Sequence, residues 1–468
     1  MIQLFGRSHR HCDGISRRHF LTAGVAGFGG LTLAGLLRAE EAAGVRSSRR
    51  AIINVHLDGG PPQMDMIDPK PQAPVEIRGP FQPISTAVPG IQVTDLLPKV
   101  ASIADRLTFV RSLVGSAGRH DAFQCQSGFD DKSLATFGGR PAVGCVLTKL
   151  MGSPDDVAPT FVDLMQGRPM VRDSARPGFL GPSYKPFRPD ISEAFARPLE
   201  AGMVNELARR GANHTVSLTL NESLDARRLD DRQYLLGHLD RMRRELDASG
   251  SMNAVDRFTQ QAASILTSGQ FADALDIGKI DPRELAMYTA PTTNLERFTT
   301  AEDEFSMRKF LLARRLVEAG VRCVSVSFSD FDTHSDNFGR MRHMLPILDH
   351  GLHALITDLE QRGMLDDVAI VLWGEFGRTP KVNSKGGRDH WPAVGMAMLA
   401  GGGMKAGQVI GATDRTASSA TSRPVHYQDI MATLYHRLGI DPSRTTLIDP
   451  TGRPQYLLDR GQPIEELV

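Results

Sequence analysis

The feature that most constrains this chain is a strand–helix–strand succession in its C-terminal part. Val321-Arg-Cys-Val-Ser-Val-Ser-Phe328 is a β-branched run, which reads as a strand. Leu345, Leu348, Leu352, Leu355, Ile356 and Leu359 then recur at helical spacing and stop near Gly363. Val368 to Trp373 and Val394 to Ala400 are further apolar runs, and Phe305 to Val317 is an amphipathic helix ending at Gly320. A strand, a helix and a strand of these lengths imply a right-handed crossover and a parallel sheet. Ala51 to Leu57, Leu107 to Leu113 and Thr160 to Leu164 supply earlier strand candidates. The expected fold class is α/β, a mostly parallel sheet sandwiched by helices.

Two stretches stand outside that pattern. From about Ser192 to Leu316 the chain is rich in Arg, Asp, Leu and Ala at helical spacing, as in Tyr234 to Leu246. It reads as a helical insertion (192–316) whose charge clusters are solvated helix faces. At the N-terminus, Ser16-Arg-Arg-His-Phe-Leu21 precedes an apolar segment to Leu37 that carries five glycines. Small residues follow from Ala39 to Gly44. A basic region, a short apolar region and a small-residue end make a signal peptide, and the paired arginines mark the twin-arginine route. We expect a signal over 1–43, with cleavage near Ala43, and a periplasmic or secreted mature chain. That chain, from about residue 50 to 468, is long enough for one large α/β domain.

Composition narrows the function classes. The 54 acidic and 54 basic residues cancel, which argues against a nucleic-acid surface. No apolar run after the signal is long enough to span a membrane. Cys12 lies in the signal, which leaves Cys125, Cys145 and Cys323 without a CxxC pair. At most one bridge, Cys125–Cys145, is open to such a set. Composition says nothing of the oligomeric state.

In a parallel sheet the binding crevice lies beyond the carboxyl ends of the strands. Asp58 follows the first strand, and Asp332 and His334 follow the 321–328 strand. Glu375 and Arg378 follow the 368–373 strand, while Arg388 and His390 precede the strand at 394. Carboxylates mixed with imidazoles suit a divalent ion such as zinc, manganese or calcium. Each residue also has a plainer reading. Asp58 before two glycines can shape a turn, Asp332 and His334 can belong to an ordinary loop, Glu375 can pair with Arg378, and His390 can be a packed ring. His56 sits inside a strand and reads as core.

These motifs carry a resemblance. His56-Leu-Asp-Gly-Gly-Pro-Pro62, Asp65-Met-Ile-Asp-Pro-Lys-Pro71, Leu312-Ala-Arg-Arg-Leu-Val-Glu-Ala-Gly320, Asp332-Thr-His334, Gly374-Glu-Phe-Gly-Arg-Thr-Pro380 and Gly387-Arg-Asp-His-Trp391 resemble the secreted bacterial family named domain of unknown function 1501. That family resembles the alkaline phosphatase-like superfamily of phosphatases and sulfatases. The resemblance implies an alkaline phosphatase-like sheet and one or two divalent ions held by Asp58, Asp332, His334, Glu375 and His390. It also implies hydrolysis of a small or polymeric anionic sulfate or phosphate ester. Phe376 stands where many superfamily members have a histidine. The nucleophile region spans Arg111 to Cys125 and lacks a sulfatase signature, so Ser116 and His120 are the catalytic candidates there, with His120 open also to a metal-ligand or leaving-group role. Arg119, Arg378 and Arg388 are candidates for binding the anion, a task suited to a guanidinium; each can equally be a salt-bridge residue. The alternative is a catalytically inactive secreted binding protein that keeps the sulfatase-like fold.

Overall fold

Every residue from Ala51 to Leu57, from Cys323 to Phe328 and from Val368 to Trp373 is buried. Runs buried on both sides are interior strands of a sheet covered on both faces. The structure is a computed structural model that describes residues 50–153, 156–166, 173–195, 269–291 and 302–468, with 171 and 205. In chain order its framework is β1 (Ala51–Leu57), β2 (Leu107–Val114), α1 (Phe123–Ser127), α2 (Val143–Met151) and β3 (Phe161–Asp163). Then come α3 (Arg308–Glu318), β4 (Cys323–Phe328), α4 (Asn337–Gln361), β5 (Val368–Trp373), β6 (Gly377–Arg378) and β7 (His390–Trp391). The last are β8 (Gly395–Gly401), β9 (Gln408–Ile410), β10 (Val425–His426) and α5 (Tyr427–Arg437).

The main sheet runs β9-β2-β8-β5-β1-β4-β3, with β10 also on β2. β1 lies parallel between β4 and β5, and β3 is parallel to β4. Within the main sheet β8 alone among the described strands opposes its neighbours, because no helical crossover separates it from β5. The sheet is therefore mixed and mostly parallel. Its two faces are alternate residues of the same strands. Ile53, Val55 and Leu57 pack with Leu312, Leu348 and Leu355 of α3 and α4. Ile52, Val371 and Trp373 pack with Val146, Ile430 and Leu434 of α2 and α5. Helices thus cover both faces.

Several local expectations change. α4 begins at Asn337, ahead of the leucine repeat, because the Asp336 carboxylate accepts the Gly339 N–H and caps it. α3 starts at Arg308 and stops before Gly320, whose φ of +105° ends the helix as expected. The Asp65–Pro71 segment does not simply wander over a surface. Asp65 is fully buried against Arg388 at 2.8 Å, and buried Asp68 takes Lys70 at 3.0 Å and the Thr413 hydroxyl. No Cys125–Cys145 bridge forms; the three cysteines are free and buried, and burial pushes each thiol up.

The signal at 1–43 and most of the insertion at 192–316 lie outside the described residues. Within 269–291 there are two short helices, Gln270–Leu275 and Pro282–Met287, and Phe271 joins the main core. No helix among the described residues is long and apolar enough to cross a membrane.

Candidate metal centre

Register brings the functional loops to one line. Leu57 pairs with Phe328 and His56 with Trp373, so β1, β4 and β5 end together. Asp58, the 329–336 loop and Glu375 leave from that edge. β2 runs the same way and releases Ser116 to His120 there, while antiparallel β8 begins there and brings in His390.

Two adjacent groups result. In the first, His120, Asp332, His334 and His390 offer ligand atoms within 4.8 Å of one another. Asp332 Oδ1 lies 3.1 Å from His334 Nε2 and 3.4 Å from His390 Nε2, and those two ring nitrogens are 3.1 Å apart. Two imidazole nitrogens and a carboxylate oxygen this close together form a donor set that fits a divalent cation. In the second group, His56, Asp58 and Glu375, all buried, likewise bring ligand atoms within 4.8 Å of one another. His56 Nε2 is 3.4 Å from Glu375 Oε2, the Gly59 N–H donates to Glu375 Oε1 at 3.0 Å, and Ser329 Oγ donates to Asp58 Oδ2 at 3.2 Å. His56 Nδ1 is buried and makes no hydrogen bond to any described residue. A bare ring nitrogen in such a place fits a metal ligand.

His120 joins the groups, with Nε2 3.3 Å from Asp332 and Nδ1 3.1 Å from Glu375. Burial lowers its pKa, but the two carboxylates outweigh burial and hold it at about 9. Burial likewise works against ionising Asp332, yet hydrogen bonds from His120, His390 and Arg378 hold that carboxyl well below the usual range. Glu375 is also held low against its burial, by His120 and His56. Three carboxylates, Asp58, Asp332 and Glu375, thus gather at one edge with Arg378 against Asp332 and His120 against Asp332 and Glu375, a concentration of negative charge that favours a cation.

Close backbone approach makes this possible. Gly59 has φ +104°, and a Cβ there would sit 2.4 Å from Asp332 N. Phe376, in the position expected of a histidine in the superfamily, packs its ring 4.4 Å from that of His390 and 5.1 Å from that of His120. It forms an apolar wall to the first group.

The arginines are placed differently from the sequence expectation. Arg378 is buried and donates to Asp332 Oδ1 at 2.7 Å and to the carbonyls of Gly59, Gly60 and Arg388. Arg388 donates twice to Asp65, at 2.8 and 3.0 Å, and to the carbonyls of Ile77, Thr379 and Pro380. With their donors spent on the protein, neither fits an anion-binding role. Arg119 is exposed and pairs with Asp131 at 2.9 Å. Ser116 Oγ donates to the Glu375 carbonyl and accepts the Gly118 N–H, so its proton points at no base.

Sequence reasoning missed two groups. His56 is readable, since positions i and i+2 of a strand share a face and the ligand candidate Asp58 lies two residues on, just beyond the strand end. Asp389 accepts from His334 Nδ1 at 2.6 Å, orienting that ring as carboxylates beside metal-bound histidines do.

Residues 49–468 match the model of the family described as Protein of unknown function (DUF1501). The chain belongs to this family. No curated protein matches it. Among solved structures, this DUF1501 chain is similar to Ps i-CgsB in complex with k-i-k-neocarrahexaose, at 11% identity and TM-score 0.36, covering 84% of this chain and 72% of that one. It is also similar to the PsFucS1 sulfatase from Pseudoalteromonas sp., at 14% identity and TM-score 0.33, covering 87% and 70%. Superpositions this loose carry no argument, and the DUF1501 fold rests on the sheet topology above.

Proposed function

We propose that this chain is a metal-dependent hydrolase of sulfate or phosphate esters, exported folded by the twin-arginine route. The observation that carries the reading is the convergence of Asp332, His334, His390 and His120 from three separate loops at the carboxyl edge. The buried His56 ring, which makes no hydrogen bond to a described residue and has Nε2 3.4 Å from Glu375, supports a second ion held with Asp58 and Glu375. Zinc, manganese and calcium all accept such donors, and the mixture of imidazole and carboxylate favours zinc or manganese. A divalent ion supplies polarisation of a non-bridging ester oxygen and a lowered pKa for a nucleophilic water or hydroxyl. The chain's residues bind and orient. Arg378 fixes the Asp332 carboxylate, Asp389 fixes the His334 ring, and Phe376 shields one side of the centre from water. The half-exposed His334 and Asp389 leave the other side open to a substrate.

The test combines metal analysis with turnover of 4-nitrophenyl sulfate and 4-nitrophenyl phosphate. The reading expects bound metal, turnover of one ester, and loss of both in Asp332→Asn and His390→Ala. A protein that takes up no zinc, manganese or calcium, or whose turnover survives both substitutions, sinks it. The bonded hydroxyl of Ser116 and the committed arginines favour one other reading, a metal-loaded binding protein without catalysis. That reading expects full metal content with neither ester turned over.

A further inference from the structure

We propose that the cavity beside the metal centre binds a neutral sugar ring, stacked on Trp391. The proposal rests on the ester hydrolase reading for its purpose, since it names the group that bears the ester. The cavity is an open cleft of about 550 Å³, and Trp391, Val382, Asn383, Asp389, Thr416 and Lys381 are among its walls. That volume admits a pyranose ring with its hydroxyls and first neighbours.

The cavity and the centre share parts. His390 and Trp391 are the two residues of β7, and alternate residues of a strand face opposite ways. The His334 ring spans the boundary: its Nε2 belongs to the first ligand group, and its Nδ1 bonds Asp389, which lines the cavity. A ring in the cavity thus sits one imidazole away from the ester.

Both walls are held in shape before any ligand arrives. The Trp391 indole N–H donates to the Ser418 carbonyl at 2.7 Å, which fixes the ring. The 414–419 loop behind it is tied by the Asp414 carboxylate, which accepts from Thr416 N, Thr416 Oγ1, Ser418 N, Ser418 Oγ and Ser419 Oγ. Opposite, Asn383 Oδ1 accepts the N–H groups of Lys385 and Gly387, and its Nδ2 donates to the His334 carbonyl. Such preorganisation cuts the ordering cost of binding.

The chemistry of the lining selects the class. An aromatic side chain lining the cleft together with the apolar Ile77, Pro380 and Val382 suits the C–H face of a sugar. The short polar side chains around it, Asn, Ser and Thr, offer both donors and acceptors, as hydroxyl groups require. Lys381 and Asp389 are the charged lining residues, one of each sign, so the cavity has no excess of cations for a second anionic group.

The test uses the mature chain and neutral tetrasaccharides of galactose, glucose, xylose and N-acetylglucosamine. The chain has two tryptophans, and Trp373 is fully buried, so a ligand-dependent fluorescence change reports Trp391. At least one sugar should give a saturable change and saturation-transfer signals at millimolar concentration. Trp391→Ala should weaken it about tenfold or more, and Trp391→Phe should keep part of it. The unchanged near-ultraviolet dichroism of Trp373 checks the fold of the Trp391 variants. Absence of binding by all four sugars, or equal binding by Trp391→Ala, overturns the proposal. Sugar binding by a chain that neither holds metal nor turns over esters sinks the hydrolase reading alone.

Discussion

Replacing Arg388 by methionine keeps most of the side-chain volume and removes every donor of a fully buried guanidinium. Asp65 then loses its charged partner and both of its hydrogen bonds, at 2.8 and 3.0 Å, and keeps the Asn337 amide at 2.8 Å, while the carbonyls of Ile77, Thr379 and Pro380 lose a donor. Breaking one side of a buried ion pair costs about 3–5 kcal/mol, because a charge is left uncompensated. The compact unit from Arg50 to Val468 has an unfolding entropy of roughly 0.9 kcal/mol/K, at about 2.1 cal/mol/K per residue. Scanning calorimetry of Arg388→Met should therefore find Tm lowered by about 3–6 °C. Adding Asp65→Asn should recover part of that loss, since the orphaned charge is gone. An unchanged Tm with a raised KM for an ester, or weakened sulfate binding, would refute the reasoning and return Arg388 to the anion site.

Other substitutions probe the centre. Gly59→Ala puts a Cβ 2.4 Å from Asp332 N at φ +104°, at a strain of about 1–3 kcal/mol; metal titration should find weaker binding, and unaltered affinity and stability would contradict the close approach. Asp389→Asn should lower metal affinity by about 10–100-fold with little change in Tm, because Asp389 is half exposed; equal affinity would remove its role in orienting His334. His56→Leu should lower the bound ions by one while the Asp332 group stays loaded, and unchanged stoichiometry would exclude the His56 group. Cys125, Cys145 and Cys323 should stay inert to Ellman's reagent until the chain is unfolded, and a native thiol that reacts would contradict their burial.

The parts of the fold legible in the sequence are those set by local pattern. β4, α4 and β5 are long apolar runs with unambiguous periods, and they dictate a parallel sheet with helices on both faces. The antiparallel course of β8 depends on the folded 374–394 loop and has no periodic signal. That Asp58, Asp332, His334, Glu375 and His390 lie at one edge is legible, because strand ends in such a sheet share that edge. That they divide into two groups is not, since the division depends on which ring His120 inserts between Asp332 and Glu375. The arginines misled for the same reason. Arg388 finds Asp65 across 323 residues of sequence, and Arg378 folds back on the Gly59–Gly60 carbonyls, contacts that composition and spacing do not encode.

An anomalous-scattering map of a zinc- or manganese-loaded crystal tests the metal centre most directly. The account predicts one peak bonded at about 2.0–2.2 Å to Asp332, His334 and His390, and a second beside His56, Asp58 and Glu375. A loaded crystal with no peak at the carboxyl edge of β1, β4 and β5, or with its ions bound only elsewhere, would contradict it.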